Sequence, residues 1–470
     1  MLKIFNTLTG KKEKFIPICS NQVNIYVCGV TVYDLCHIGH GRTFIVFDMI
    51  VRYLRFSGYK VNYIRNITDI DDKIIRHAYN NNETCQDLTN RMINAMHHDF
   101  DSLNILRPNH EPRVTCYINN IIEFICNLFA KGHAYVSCRG DVMFDVSSFK
   151  NYGILSSNKF AMKEINVCMQ STNIDKKRNA MDFVLWKMSK KDEPKWYSPW
   201  GSGRPGWHIE CSTMHYIFLG KKIDIHGGGS DLKFPHHENE LAQSMCAHDG
   251  FYVNVWVHSG MIVVNQKKMS KSFNNFLTIR DLLKLYDPET VRFFLLSTHY
   301  RKLVQYDINS FRRARLVLQK LYIALRDTDI NAVPYGGENF VSEFVSKMND
   351  DFNIPGVYSV LFNIAHEINC LKIKRSPNIH GMAATLRYLG NILGLLYYDS
   401  EYFLQNIFIQ SDDLITTILN LIKYRDDARK NKQWLLADEI RDKLVRMGVI
   451  LEDRSNETTW RFNNIKIKIN

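Results

Sequence analysis

The chain has 470 residues, 45% of them hydrophobic and 12% aromatic, with 11 cysteines and a formal net charge of +12. That length and apolar content exclude a disordered chain and a single small core, and they fit two to four domains. The N-terminal "MLKIFNTLTGKKEKF" lacks the apolar run of a secretion signal, no stretch reaches the roughly 18 apolar residues that span a bilayer, and the scattered cysteines form no CxxC pair, so the chain reads as cytoplasmic with mostly free thiols.

The first regular element is a β-rich run, Val23–Val32. A turn follows, then an amphipathic stretch with Phe47, Ile50 and Leu54 at helical spacing, closed by Ser57-Gly58. Val61 and Tyr63 alternate as a second strand, completing the rhythm of a βαβ unit. Residues 110–205 read as an insertion, whose centre, "SSNKFAMKEINVCMQSTNIDKKRN", has little periodicity. The run "KKIDIHGGGSDLKFPHHENELAQSMCAHDG" then goes from strand through loop to helix again. Two such units predict an α/β fold with a doubly wound parallel (Rossmann-type) sheet, which binds ligands beyond the carboxyl ends of its strands. After residue 326, "DTDINAVPYGGEN" is a linker by its Pro, Gly and Asn content. Val341, Phe344, Val345 and Met348, then Val357, Val360, Leu361, Ile364 and Ile368, predict an α-helical bundle over 327–400. The tail, 401–470, mixes helical "WLLADEIRDKLVRMGV" with strand-like "TTWRFNNIKIKI".

Three short stretches carry chemistry. "HIGH", His37 to His40, stands at the turn between the first strand and helix. Free N–H groups and the positive dipole end of a helix suit phosphate there, and two histidines can donate hydrogen bonds to its oxygens. "KKMSKS" sets Lys268 and Lys271 among small hydroxyls, a cationic loop suited to a leaving pyrophosphate. Taken singly, these are a pair of loop histidines and a solvated charge cluster. "KFPHHENELA" places His236, His237, Glu238 and Glu240 in five residues behind Gly227–Gly229, with Pro235 suited to the first turn of a helix. His236 and Glu240 are i and i+4 and share one helical face. The segment is HHENE and not HExxH, so no glutamate stands between two ligating histidines as a metalloprotease base would.

"HIGH" and "KMSKS", in this order and about 230 residues apart, resemble the paired motifs of the class I aminoacyl-tRNA synthetases. Within that class, "YVCGVTVYDLCHIGHGR", "NITDIDDKI", "GRPGWHIECSTM" and "HGGGSDLKFPHHENELAQS" resemble the cysteinyl-tRNA synthetase family over nearly the whole chain. The resemblance implies ATP-dependent activation of L-cysteine to cysteinyl-adenylate and its transfer to the 3′ end of tRNA(Cys), a partner that the basic balance suits. It implies one zinc ion at the amino-acid pocket, held at the positions matching Cys28, Cys211, His236 and Glu240, with ATP and Mg2+ as substrate. His237 and Glu238 are left to support the ligands or the fold.

The resemblance also implies a cysteine pocket lined by Gly29, Thr68 and Trp207, and a nucleotide-side loop of Gly227, Gly228, Gly229 and Asp231. It assigns charge stabilisation to His37, His40, Lys268 and Lys271, with Lys271 on ATP. Its domains are a catalytic one over 1–326, with a tRNA stem-contact region at 275–326, a helical bundle over 327–400 and an anticodon-binding domain over 401–470, in which Trp460 either stacks on a base or belongs to the core. A monomer is expected, without a membrane. Two rivals remain: a ligase joining cysteine to an amino-sugar, which would lack the tail with Trp434 and Trp460, and a non-catalytic tRNA-binding scaffold, which has no use for intact motifs. Three departures from the family pattern are Gly41 after HIGH, the stretch 156–175, and "EDRSNETTWRF", which keeps Trp460 but lacks the family's usual glycine-containing turn before it.

Overall fold

The computed structural model describes residues 1–156, 177–264, 267–268, 277–307, 309–405, 412–453 and 458–462. The chain divides into two compact units.

The first unit comprises Met1–Ile262, His299–Val304 and Met348–Asn353. It opens with an antiparallel hairpin of β1 (Lys3–Asn6) and β2 (Lys11–Lys14). Next comes β3 (Gln22–Thr31), whose β-branched and aromatic residues from Ile25 to Val30 are buried on both faces, as a central parallel strand requires. Helix α1 (Ile38–Phe56) returns the chain to β4 (Lys60–Thr68), which lies parallel to β3. Helices α2 (Asp72–Asn80), α3 (Cys85–Ser102) and α4 (Ile118–Ala130) follow. A separate antiparallel sheet is then formed by β5 (Ala134–Val136), β6 (Val142–Phe144), β7 (Phe183–Met188) and β8 (Gly203–Pro205). Helix α5 (Trp207–Leu219) leads into β9 (Lys222–Gly229), and α6 (Glu238–Ala247) into β10 (Tyr252–Ser259).

The central sheet runs in the order β10-β9-β3-β4 with every neighbouring pair parallel. From β3 the chain builds outward to β4 on one side and through β9 to β10 on the other. The order therefore reverses between β3 and β9, where a doubly wound sheet opens its ligand crevice. Two local expectations are corrected. Gly227–Gly229 are not a loop: they finish β9, paired with Val257–Ser259. Pro235 does not open a regular helix: it follows a cis peptide within a short π-helical turn, Lys233–His237, in which Phe234 is extended.

The second unit comprises Val263–Thr298, Gln305–Lys347 and Ile354–Asn470. In it Val263 and Val264 pair antiparallel with Lys268 and Lys267. Its helices are Ile279–Leu283, Pro288–Leu296, Ser310–Leu325, Glu338–Met348, Ile354–Ile373, Ile379–Ile392, Ser400–Gln405, Asp412–Lys430 and Trp434–Arg446. A last antiparallel pair, Val449–Asp453 with Thr458–Phe462, closes a small core of Ile418, Ile422, Ile440, Leu444, Trp460 and Phe462.

Candidate functional site

The first half of the site is the N-terminus of α1. His37 is its N-cap, and its Nδ1 accepts the backbone N–H groups of Gly39 at 3.0 Å and His40 at 3.3 Å. His40 Nδ1 accepts the His37 N–H at 3.3 Å, so the two residues form a reciprocal capping box. The rings stack with centroids 3.7 Å apart. Burial, helped by His37 and Lys73, holds the His40 imidazole well below its usual range, so it is neutral at pH 7. A neutral ring whose Nδ1 accepts carries its proton on Nε2. The fold therefore presents Nε2–H donors at a helix N-terminus, the arrangement that receives phosphate.

The second half lies at the ends of β3 and β9. One donor atom each from Cys28, Cys211, His236 and Glu240, all four buried, come together within 4.8 Å of one another. Cys28 stands on β3, Cys211 one turn into α5, His236 in the π-helical turn Lys233–His237 and Glu240 in the first turn of α6. Cys28 Sγ lies 3.1 Å from one oxygen of Glu240, and His236 Nε2 lies 3.0 Å from the same oxygen. His226 Nε2 meets the other oxygen at 3.0 Å.

The electrostatics favour a cation. Burial pushes the Glu240 carboxyl up, but His226 and His236 outweigh it and hold the group well below the usual carboxylate range. Burial likewise opposes ionisation of Cys211, yet hydrogen bonds from Cys28 and His236 pull its thiol down to about 6. A thiolate, a carboxylate, an imidazole and a second thiol form a set that suits zinc, whose ligands stand roughly 3.3–3.8 Å apart at bond lengths of about 2.0–2.3 Å. Two overlapping sets, Cys28/His226/His237 and His215/His226/Glu240, share the same pocket.

Trp207 forms a wall of this pocket. Its ring is 4.2 Å from that of His236, and 39% of the residue is exposed, which gives it a free face beside the donors. Thr68 is buried and donates to Glu210 Oε2 at 2.6 Å. Gly29 lies next to Cys28, and a Cβ there would come within 1.6 Å of the Asn66 carbonyl oxygen. At Gly227 a Cβ would meet the Phe47 ring of α1 at 2.2 Å, so this glycine serves helix–strand packing. Asp231 is exposed just beyond β9.

Glu238 has a structural partner set. Its carboxylate accepts the backbone N–H groups of Gly153 at 2.9 Å, Leu155 at 3.4 Å and Ser156 at 2.7 Å. His237 Nδ1 meets His258 Nε2 at 2.8 Å, and His258 Nδ1 meets Thr7 Oγ1 at 2.8 Å. Sequence reading missed His226 and His258. Their one signal was strand alternation in "KIDIHGGG" and "YVNVWVHS", which points them to defined faces.

Lys271 and the stretch 157–176 lie outside the described residues, and for Lys268 the backbone alone is described. Of the two readings of Trp460, base stacking and core, its burial favours the core. The residue is 4% exposed, packs edge-on against Phe462 and belongs to the small core, so its ring has no face to offer a base. Trp434, 59% exposed, does.

Among the described residues no helix is long and apolar enough to cross a membrane. Family models match three stretches of the chain: tRNA synthetases class I (C) catalytic domain at residues 14–315, DALR domain at 343–397 and cysteinyl-tRNA ligase anticodon binding domain at 411–461. The chain is 59% identical to a cysteine–tRNA ligase of Blochmanniella pennsylvanica, over 98% of this chain and 100% of the relative. It is 57% identical to one of Proteus mirabilis, over 99% and 100%. Among solved structures it is similar to Mycobacterium tuberculosis methionyl-tRNA synthetase in complex with methionyl-adenylate, with a TM-score of 0.58 at 14% identity, covering 85% of this chain and 94% of that one. A putative arginyl-tRNA synthetase from Campylobacter jejuni gives a TM-score of 0.53 at 13% identity, covering 81% and 94%. These two likenesses concern the fold alone.

Proposed function

The chain belongs to the cysteinyl-tRNA ligase family of class I aminoacyl-tRNA synthetases, and from that premise we propose how its residues divide the work of cysteine–tRNA ligation. The cysteine carboxylate attacks the α-phosphate of MgATP, the bond to the β-phosphate breaks and pyrophosphate leaves. The terminal ribose hydroxyl of tRNA(Cys) then attacks the carbonyl of cysteinyl-adenylate, and AMP leaves. Both steps need positioning and charge stabilisation more than proton transfer. His37 and His40 donate from Nε2 to phosphate oxygens, Lys268 and Lys271 meet the leaving pyrophosphate, Gly227–Gly229 and Asp231 form the nucleotide side, and Gly29, Thr68 and Trp207 enclose cysteine.

Cys28, Cys211, His236 and Glu240 would hold zinc, which when bound takes a thiol as thiolate and favours soft sulfur over a hydroxyl. That preference is needed. Cysteine and serine differ by one atom, an apolar pocket separates near-isosteres by only about a hundredfold, and accurate translation demands about 10⁴–10⁵. The observation that carries this reading is the convergence of four buried donors within 4.8 Å of one another.

The matches at 14–315, 343–397 and 411–461 support a catalytic domain over 1–326, with an insertion at 110–205 and a stem-contact region at 275–326, then a bundle over 327–400 and an anticodon-binding domain over 401–470. They weigh against an amino-sugar ligase, which lacks the last. Exposure makes Trp434 the better candidate for stacking on an anticodon base. The enzyme acts where its tRNA is, in the cytoplasm, and a monomer suffices because one chain supplies every residue named.

Cobalt-substituted enzyme tests the amino-acid side. Cysteine should raise a thiolate-to-metal absorption band and serine none, while serine with ATP and tRNA should leave ATP hydrolysis at background. An unchanged spectrum with cysteine, or brisk serine-driven ATP turnover, would place selectivity elsewhere.

A further inference from the structure

We infer that Asn66 is a positioning residue that pins the metal ligand Cys28, through a bulge in the central sheet, and braces Cys211. The inference rests on the functional reading above and deepens its amino-acid side. β3 and β4 pair in regular register from Gln22↔Lys60 to Val27↔Arg65, and again at Val30↔Ile67. Between those points two residues of β3, Cys28 and Gly29, face one residue of β4, Asn66. That count defines a β-bulge, which interrupts the ladder, bends the strand and re-aims a side chain.

Asn66 fills the interruption in three ways. Its Oδ1 accepts the Gly29 N–H at 2.9 Å, replacing the ladder bond that the bulge removes. The same oxygen lies 3.6 Å from Cys211 Sγ on α5. Its Nδ2 lies 3.5 Å from Thr68 Oγ1, two residues on along β4. The Asn66 carbonyl occupies the space that a Cβ on Gly29 would take, at 1.6 Å, so residue 29 must be glycine for the bulge to close on this partner. Asn66 is 1% exposed, so water does not substitute for its contacts. One carboxamide thus fixes the direction of Cys28, the place of Cys211 and the side of the pocket that holds Thr68. Nothing in it faces the α1 phosphate site, so its effect should fall on metal and cysteine and spare ATP.

The test uses full-length protein and three readouts. Asn66→Ala removes the acceptor; Asn66→Asp keeps an oxygen where the Gly29 N–H needs one. Alanine should raise the KM for cysteine in pyrophosphate exchange about 10–100-fold, the range for partners that orient metal ligands, and speed loss of zinc to a chelator by a similar factor. The KM for ATP should stay within about twofold by the same localisation. Aspartate should recover most of the zinc retention and cysteine affinity. If Asn66→Ala folds poorly, the comparison moves to Asn66→Asp against Gly29→Ala, which keeps Asn66 but forces the bulge open and should lose zinc. Equal losses toward cysteine and ATP, or unchanged zinc release and cysteine KM in Asn66→Ala, would overturn the inference. Absence of cysteine-dependent exchange in the unmodified enzyme would instead overturn the functional reading.

Discussion

His37 and His40 cap each other: each ring's Nδ1 accepts the other residue's backbone N–H at 3.3 Å. A histidine is a rare choice for a helix cap, where Ser, Thr, Asp and Asn lead. Here the imidazole does through one nitrogen what those residues do through an oxygen. Helix initiation is thereby built from the same two side chains that we propose contact phosphate.

That double duty can be separated by substitution. His37→Asn keeps an oxygen near the place of Nδ1, so α1 stays capped, but it removes the Nε2–H. Adenylate formation should fall about 10²–10³-fold, as for loss of one preorganised donor. The melting temperature should stay close to that of the parent. His37→Ala should add a cap loss of about 0.5–2 kcal/mol. Normal adenylation in stopped-flow assays of the asparagine variant would remove His37 from phosphate binding.

Lys271→Ala should slow adenylate formation and leave cysteine affinity nearly intact, because in the proposed role the lysine meets charge that appears on the leaving pyrophosphate. Single-turnover adenylation and equilibrium cysteine binding separate the two. A defect confined to cysteine affinity would contradict the role.

The two tail tryptophans should behave in opposite ways. Trp460, 4% exposed in a core with Ile418, Leu444 and Phe462, should cost about 3–5 kcal/mol of stability in that unit when cut to alanine. Trp434, 59% exposed, should cost little stability; its alanine variant should raise the KM for tRNA by about tenfold and spare pyrophosphate exchange. Thermal melts and charging assays on both variants decide, and a reversed pattern would restore Trp460 as the base contact.

The tryptophan assignment shows where sequence reading stops. The alternation Thr458-Thr459-Trp460-Arg461-Phe462 was visible, and it put Trp460 and Phe462 on one face. Which face the helices cover is a tertiary fact, and the structure covers this one. By contrast, His236 and Glu240 were legible because helical spacing alone joins them. Cys28 and Cys211 needed the family resemblance, since 183 positions separate them and only the packing of α5 beside β3 unites them. His226 was missed for the same reason: its contact with Glu240 spans from β9 to α6. The βαβ rhythm was readable from local pattern, but the bulge at Cys28 was not, because register depends on two strands at once.

Acid should destabilise the first unit through its buried histidines. Burial drives the His215 and His258 imidazoles down to about 3, with His226 adding to both, and burial with Lys221 and Lys131 takes His248 to about 4. Their folded pKa values lie below the unfolded value near 6.5, so the unfolded chain binds more protons in the interval between. The stability they contribute is whole above about pH 6.5 and is lost as pH falls below it. For fully buried His215, the loss is about 1.4 kcal/mol per pH unit between 6.5 and its folded value. Melts at pH 7.5 and 5.5 should show a clear drop, and His215→Gln should shrink it. A melting temperature equal at both would mean that these rings are solvated or protonated in the fold.

Glu238 and Glu240 stand two residues apart, and the structure predicts opposite consequences for neutralising them. Glu240 faces Cys28, His226 and His236. Its charge is useful only to a cation or to protonated histidines. Glu240→Gln should therefore lower zinc affinity about 10–100-fold and, with it, cysteine-dependent exchange. Glu238 is fully buried and spends its carboxylate on the N–H groups of Gly153, Leu155 and Ser156. An amide offers one acceptor oxygen in place of two and brings an NH₂ against those donors. Glu238→Gln should cost about 1–3 kcal/mol of stability while zinc stays bound. Metal analysis and thermal melts on the same two preparations distinguish the roles. Zinc lost from Glu238→Gln at full folding, or retained in Glu240→Gln against a chelator, would mean that the metal sits on a different set of donors in this pocket, with Cys28, His226 and His237 the first to examine.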